Sequence, residues 1–230
     1  MEYIIIIIFS ILILGILWLV YNINIKEIKK IGNNKRLNNY TNKFPENIEI
    51  CKTILKQLNN TKVKIEEVKE KNIKTSLYLV MTDTISIANI RDSYTRVQTI
   101  AHECIHSIQD KKILWFNFIF SNIYLIYFVA IIIFSLFGII NNYMLYLCIL
   151  LIASIVQYAV RSFLETDAMT RARYVAKEYI EENNLCTKEE LDELIDSYDK
   201  LNNLGIKAVN YQILANNMIE VIIYLIVCLI

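Results

Sequence analysis

The stretch Thr99–Asp110, TIAHECIHSIQD, carries the pattern H-E-x-x-H at His102, Glu103 and His106. On a helix, residues four positions apart lie on the same face, so the two imidazoles can reach one metal ion. The carboxylate of Glu103 projects beside them, where it can act as a general base. Both histidines of the chain lie in this pattern. The stretch therefore predicts a metal-binding helix.

The residues around the motif favour a helix that is buried along one side. Apolar residues recur with helical spacing, and neither Pro nor Gly interrupts the run from Ser93, a candidate N-cap, to Asp110. We expect the apolar stripe to face the core, and the two histidines and Glu103 to line a cleft. The stripe consists of Val97, Ile100, Ala101, Cys104, Ile105 and Ile108.

The composition is typical of a membrane protein. The chain is 55% hydrophobic with a net charge of +1, and its apolar residues are gathered into long runs. We therefore expect the lipid bilayer to be a partner. The near-zero net charge gives no indication of a nucleic-acid partner, and we expect none. The five cysteines show no C-x-x-C spacing, which favours reduced thiols over a disulfide framework.

Three apolar runs are long enough to cross a bilayer, namely Tyr3–Tyr21, Ile113–Ile140 and Tyr143–Val160. A fourth, Met218–Ile230, is short and contains Glu220, so the sequence leaves open whether it spans. Every Lys and Arg falls within 26–112 or 161–207. Because positive charge is retained in the cytoplasm, we expect a multi-pass integral protein of a bacterial cell membrane with the motif on the cytoplasmic side.

These runs divide the chain into five parts. We predict a transmembrane helix at 1–22, a cytoplasmic part with the motif at 23–112 and a transmembrane hairpin at 113–160. Cytoplasmic helices at 161–217 and a short C-terminal membrane segment at 218–230 follow. Short strands are predicted near Val63–Ile65, at Ser76–Met81 and at Thr84–Ala88. Thr187 and Glu190 form a capping box for a helix that we expect to close at Gly205.

The segment Glu165–Ala172 reads E-x-D-A-x-x-R-A and directly follows the predicted hairpin. With one N-terminal span and an H-E-x-x-H helix that leads into a hairpin, the chain resembles the YugP-like neutral zinc metallopeptidases, a family of bacterial membrane proteins. The layout is similar over most of the chain, and the sharp matches are His102–Gln109 and Glu165–Ala172. Two features depart from the family pattern. Ile105 stands where the family usually has Gly, and TDTISIANI stands where the family has an H-Y-D-P-like segment.

The resemblance implies hydrolysis of peptide bonds in a protein or peptide substrate, with one Zn²⁺ as cofactor. By match, His102 and His106 would bind the zinc and Glu165 would be the third ligand, as the Glu after the hairpin is in the HtpX-like membrane metallopeptidases. Glu103 would be the catalytic base that takes a proton from the metal-activated water.

The choice between Glu165 and Asp167 can also be argued from helix geometry. Two residues apart at about 100° per residue, the carboxylates point to nearly opposite faces, so only one can coordinate directly. Ala168 and Ala172 make the Glu165 face small enough to pack against the metal helix. Asp167 lies four residues before Arg171, the spacing of a helical ion pair. We expect Glu165 to be the ligand, with Asp167 as the alternative.

The predicted fold is a mainly α membrane protein with a zincin-like metal helix, a small cytoplasmic α+β part and three to four transmembrane helices. The predicted function is a membrane-bound, gluzincin-like zinc metalloendopeptidase at the cytoplasmic face. One alternative is an intramembrane protease. The charged residues that bracket the motif helix argue against it, namely Arg91, Arg96, Asp110, Lys111 and Lys112. Another is a non-catalytic membrane scaffold or pseudo-protease that retains the metallopeptidase fold. The sequence does not define the substrate or the oligomeric state.

Overall fold

The structure, a computed structural model, describes residues 2–68 and 75–230 and is mainly helical. Its helices are α1 (Glu2–Val20), α2 (Ile25–Gly32), α3 (Lys35–Asn38), α4 (Asn47–Gln57), α5 (Arg96–Ile108), α6 (Lys111–Leu136), α7 (Tyr143–Glu182) and α8 (Lys188–Val227), with a 3₁₀ turn at Asn39–Lys43. Its strands are β1 (Lys64–Glu67), β2 (Leu77–Leu79) and β3 (Thr84–Ile87). The chain divides into two compact units. The first comprises Met1–Ile23, Trp115–Phe163 and Lys207–Ile230, and the second comprises Asn24–Leu114 and Leu164–Ile206.

Four helices, α1, α6, α7 and α8, are long and apolar enough to cross a membrane. Their most apolar windows have mean hydropathies of 3.0, 2.3, 2.0 and 1.2 in that order. Helix α7 contains the whole of the third predicted span, and α1 and α6 cover the first and second except for their last one and four residues. Helix α8 covers residues 218–227 of the run that the sequence left open. At 1.5 Å per residue, each 40-residue helix is about 60 Å long, roughly twice the hydrocarbon thickness of a bilayer. Only part of α7 and of α8 can therefore lie within a membrane.

The interior of the first unit contains hydrogen bonds between its helices. The hydroxyls of Tyr124 on α6 and Ser154 on α7 lie 3.0 Å apart. Asn217 on α8 donates to the Ser154 carbonyl at 2.9 Å, and Tyr224 donates to the Tyr143 carbonyl at 3.0 Å. Such bonds hold apolar helices together where burial from water contributes little to their association.

The second unit contains a three-stranded sheet in the order β1-β3-β2. Strand β3 is parallel to β1 and antiparallel to β2, so β2 lies at one edge. Ile85 and Ile87 of β3 are fully buried. All three predicted strands are present, each shifted or shortened by one or two residues. Asp83, in the turn between β2 and β3, has a φ of 49°, the left-handed region that Asp tolerates better than most residues.

Helix α5 lies in the core of the second unit, as its apolar stripe predicts. Val97, Ile100, Ala101, Cys104 and Ile105 are all fully buried. The predicted start at Ser93 is wrong, because α5 begins at Arg96 and no side chain caps it. The Ser93 hydroxyl lies 2.8 Å from the Thr95 hydroxyl instead, a local turn contact that competes with capping.

Arg96, on the first turn of α5, is a buried cation that is only 1% exposed. Its guanidinium donates to the Thr41 and Phe44 carbonyls at 3.0 and 2.8 Å and to the Asn47 side chain at 3.2 Å. The same group lies over the Phe44 ring, 5.5 Å from its centroid. One side chain therefore holds the start of α5 against the 3₁₀ turn and the start of α4.

Helices α7 and α8 are longer than the sequence suggested. Helix α7 runs without a break from the apolar run into the segment that carries Glu165. The capping box is confirmed, with hydrogen bonds of 3.0 and 3.3 Å between Thr187 and Glu190. The predicted end near Gly205 is wrong, because α8 continues to Val227. A Cβ at Gly205 would lie 2.8 Å from the Met169 Cε, so this glycine permits close helix packing rather than ending a helix.

Replacing Arg96 should lower the stability of the protein, because the side chain donates three hydrogen bonds. Arg96→Met keeps much of the aliphatic stem but removes the donor to the Phe44 carbonyl and the Asn47 side-chain oxygen, so the free energy of unfolding should fall by on the order of 3 kcal/mol. Thermal unfolding of the full-length protein in detergent measures this loss. The matched change Arg91→Met removes an arginine whose side chain is 64% exposed, and it should have little effect. Equal stability of the two variants would contradict the role given to Arg96.

Candidate metal centre

Three potential ligand atoms converge in the second unit, the Nε2 atoms of His102 and His106 and the Oε2 atom of Glu165. The two nitrogens are 3.0 Å apart, and the Glu165 oxygen is 3.5 Å from His102 and 3.8 Å from His106. Ligand atoms about 2.0–2.2 Å from a tetrahedral zinc ion are themselves about 3.3–3.5 Å apart. The three spacings lie around this range, so the group could hold a metal ion, and two imidazoles with one carboxylate form a donor set found at zinc sites.

The buried faces of two helices bring these ligands together. The stripe of α5 fixes which side of that helix is buried, and His102 and His106 project from a neighbouring side, one turn apart. On α7, Ala168 and Ala172 are buried at 0 and 1% exposure beside Glu165. Small side chains at these two positions leave room for α7 to pack closely. The expectation that they form a small, packed face next to Glu165 is confirmed.

The pKa shifts in this group favour an anionic Glu165 next to positive charge on the imidazole side. Burial raises the pKa of Glu165, but the two imidazoles outweigh burial and hold that pKa well below its usual range. Burial lowers the pKa of the His106 imidazole, but Glu165 and Glu103 outweigh burial and the net shift is upward. The group therefore stabilises a carboxylate anion next to positive charge, which is the charge that a metal cation would bring.

Glu103 is buried, with 5% of its surface exposed, and does not belong to the converging atoms. We expected Glu103 to line a cleft with the histidines, and the structure buries it more deeply than either of them. Burial raises the pKa of its carboxyl, the two imidazoles oppose this, and the net shift is upward. The nearby backbone of Tyr78 on strand β2 also acts to lower this pKa and so favours the ionised form. A buried carboxylate with a raised pKa is a strong proton acceptor beside the site.

Gln109 is the part of the site that sequence reasoning missed. It follows the last residue of α5, is 7% exposed and places its Oε1 2.8 Å from the His106 Nδ1. Its Nε2 donates to the Leu164 carbonyl and to the Asp167 carboxylate, each at 2.8 Å. The only sequence signal was its position three residues after His106, close enough for a helical contact.

Asp167 lies beside the site but does not join the converging atoms. Its carboxylate accepts the Gln109 hydrogen bond and lies 3.5 Å from the Arg171 guanidinium, the expected i,i+4 pair. The geometry therefore favours Glu165 over Asp167 as the direct ligand.

The cysteine of the motif packs away from the ligand atoms. Cys104 is fully buried, as predicted, and its sulfur lies 3.7 Å from that of Cys51 on α4. Both are free thiols. Burial raises the pKa of the Cys104 thiol, so this sulfur stays protonated and is a poor metal ligand.

Comparison of the chain with family models, with curated proteins and with solved structures finds no match. The resemblance to the YugP-like metallopeptidases therefore remains a prediction from two short motifs and the layout of the chain. The case for a function rests on the geometry of the converging groups.

The ligand assignment predicts that two nearby carboxylates behave differently. Glu165→Ala removes a converging oxygen and should abolish stoichiometric zinc in the purified protein, because two imidazoles alone make an incomplete site. Asp167→Ala removes no converging atom and should retain zinc at saturating metal. Mass spectrometry of metal content in detergent-purified protein measures both. Zinc retained in the first variant and lost in the second would transfer the ligand role to Asp167.

Proposed function

We propose that this protein is a membrane-bound zinc endopeptidase that hydrolyses peptide bonds at the cytoplasmic face. The observation that carries the proposal is the convergence of His102, His106 and Glu165 within 4.8 Å, with Glu103 on the same helix between the two histidines. Three protein ligands leave one tetrahedral position open, which distinguishes catalytic zinc sites from structural ones. Bound there, zinc would supply Lewis acidity toward water and the scissile carbonyl.

The carboxylate of Glu103 would take the proton from the attacking water and pass it to the leaving amine. Its burial and raised pKa make it a better proton acceptor than a solvated glutamate, which suits this role. Glu103 acts as the base rather than as a ligand.

Strand β2 offers a place for an extended substrate. It lies at the edge of the sheet and pairs with β3 on one side. The backbone of its central residue, Tyr78, lies close enough to Glu103 to lower the pKa of that carboxyl, so this edge borders the proposed catalytic base. An extended peptide that added to the edge would lie close to Glu103 through main-chain hydrogen bonds. Main-chain hydrogen bonds do not depend on the side chains of the substrate, which suits an enzyme that cleaves unfolded segments.

The charges around the site support an aqueous location. The side chains of Lys111 and Asp83 form an ion pair at 2.8 Å and are each nearly half exposed. The Arg91 side chain is 64% exposed, whereas Arg96, also near the motif, is buried and says nothing about water. Exposed charges at these positions would be costly inside a bilayer, which argues against cleavage within the membrane.

The catalytic assignment predicts a separation of activity from metal content. Glu103→Gln removes the proton acceptor but no ligand, so cleavage of quenched fluorescent peptides should fall at least about 100-fold while stoichiometric zinc is retained. Glu66→Gln, the same change at an exposed position on β1, is the matched control and should leave both unchanged. Full activity of Glu103→Gln would refute the base role. A parent protein that binds zinc but cleaves no peptide would favour the scaffold alternative.

The cytoplasmic assignment predicts which engineered cysteines a membrane-impermeant maleimide can reach. Cys51 is a poor reporter because it is fully buried, so cysteines are introduced at the exposed Asn141 and Glu189. Both variants also replace Cys148, Cys186 and Cys228 with Ser. Because the turn at 141 lacks Lys and Arg, Asn141→Cys should be labelled in intact cells, and Glu189→Cys in inverted vesicles. The opposite pattern would place the site outside.

A further inference from the structure

The amide group of Gln109 can adopt only one orientation. Its Nε2 faces the Leu164 carbonyl and the Asp167 carboxylate, both at 2.8 Å, and an ionised carboxylate and a carbonyl can only accept hydrogen bonds. An inverted amide would place its oxygen against two acceptors. Both N–H groups are therefore committed to these two partners, and Oε1 must face His106.

This orientation determines which nitrogen carries the hydrogen when the His106 ring is neutral. The Gln109 Oε1, an acceptor, lies 2.8 Å from the His106 Nδ1, so Nδ1 must carry the hydrogen. In a neutral imidazole with Nδ1 protonated, Nε2 holds a lone pair. The His106 Nε2 is the atom that lies 3.0 Å from the His102 Nε2 in the converging group. The ring is thus prepared to donate its lone pair to a metal ion.

The same amide also reaches the other helix that carries a ligand. Leu164, whose carbonyl accepts one Gln109 hydrogen, immediately precedes Glu165 on α7. Gln109 itself lies between α5 and α6, where the backbone leaves the helical conformation. One buried side chain therefore contacts a ligand on α5 and the residue next to a ligand on α7. Because Gln109 is only 7% exposed, water competes little for these bonds.

We infer that Gln109, held by Asp167, is a positioning residue that sets the tautomer of His106 and seats Glu165 beside it. The inference rests on the proposed zinc site. In this arrangement Asp167 acts without binding the metal itself. Its carboxylate accepts a hydrogen bond from the Gln109 amide and so keeps the amide oxygen turned toward His106. Groups that hydrogen-bond to metal ligands in this way typically contribute about 10- to 100-fold to metal affinity.

The first test is the zinc affinity of the full-length protein in detergent, measured by competition with a chromophoric chelator. Gln109→Leu should weaken zinc binding by about 10- to 100-fold, because it removes the acceptor for His106 and the donor to Leu164. Gln57→Leu, the same change on α4, should leave the affinity unchanged. An affinity of Gln109→Leu within twofold of the parent would overturn the inference while leaving the zinc site intact. A parent protein that binds no zinc would overturn both.

An exchange of amide and carboxylate separates positioning from general packing. Gln109→Glu alone should weaken zinc binding, because it places two carboxylates against each other. Adding Asp167→Asn restores a donor between the two positions, so the double variant should recover much of the loss, although the Leu164 carbonyl still lacks its donor. A double variant no better than Gln109→Glu would contradict the proposed link.

The tautomer of His106 can be observed directly because the chain has only two histidines. With ¹⁵N-labelled histidine, nitrogen spectra of the zinc-free parent should contain one ring with its proton on Nδ1. In Gln109→Leu that ring should shift toward the Nε2-protonated form or a mixture of the two. A purely structural role for Gln109 would leave the ring nitrogens unchanged, and that result would refute the inference.

Discussion

The constraint on which the second unit depends is the fixed placement of α5. Five of the six residues of its apolar stripe are fully buried, and Ile108 at its end is partly buried, which sets the rotation of the helix about its axis and hence the direction of both imidazoles. Its two ends are held by polar contacts that burial alone would not supply. Arg96 ties the first turn to the segment before α4, and Asn60 donates to the carbonyl and hydroxyl of Ser107 in the last turn, at 3.1 and 3.0 Å. Such contacts limit sliding along the axis, against which apolar packing is a weak restraint.

Much of this second unit could be predicted from the sequence because its signals are local. Helical periodicity identified the buried face of α5, alternation and turn residues located the strands, and the spacing of the capping box placed the start of α8. The motif match and the small residues beside Glu165 predicted it as a metal ligand. The structure places that side chain with the histidines, which makes a metal site chemically reasonable without establishing which ion it takes.

Two of the three misses, at Gly205 and Gln109, depend on contacts between segments distant in sequence, whereas the miss at Ser93 depends on a contact within one turn. Gly205 resembled a helix end, but its missing side chain accommodates Met169 of another helix. Ser93 resembled an N-cap, but its hydroxyl lies against the Thr95 hydroxyl and caps no helix. Gln109 looked like an ordinary polar residue after a helix, because its partners lie 55 and 58 residues further along the chain. Local patterns contain no information about such partners.

The close approach at Gly205 has a consequence for how this sequence can vary. The atom that a Cβ would meet is the terminal methyl of Met169, the most adaptable part of a flexible side chain. A single methyl at position 205 is therefore tolerable if that thioether rotates away, whereas a larger side chain would require more of the Met169 side chain to move. The volume permitted at one position depends on the residue at the other. Substitutions at 169 and 205 are thus non-additive, and over many generations the two positions should change as a pair rather than independently.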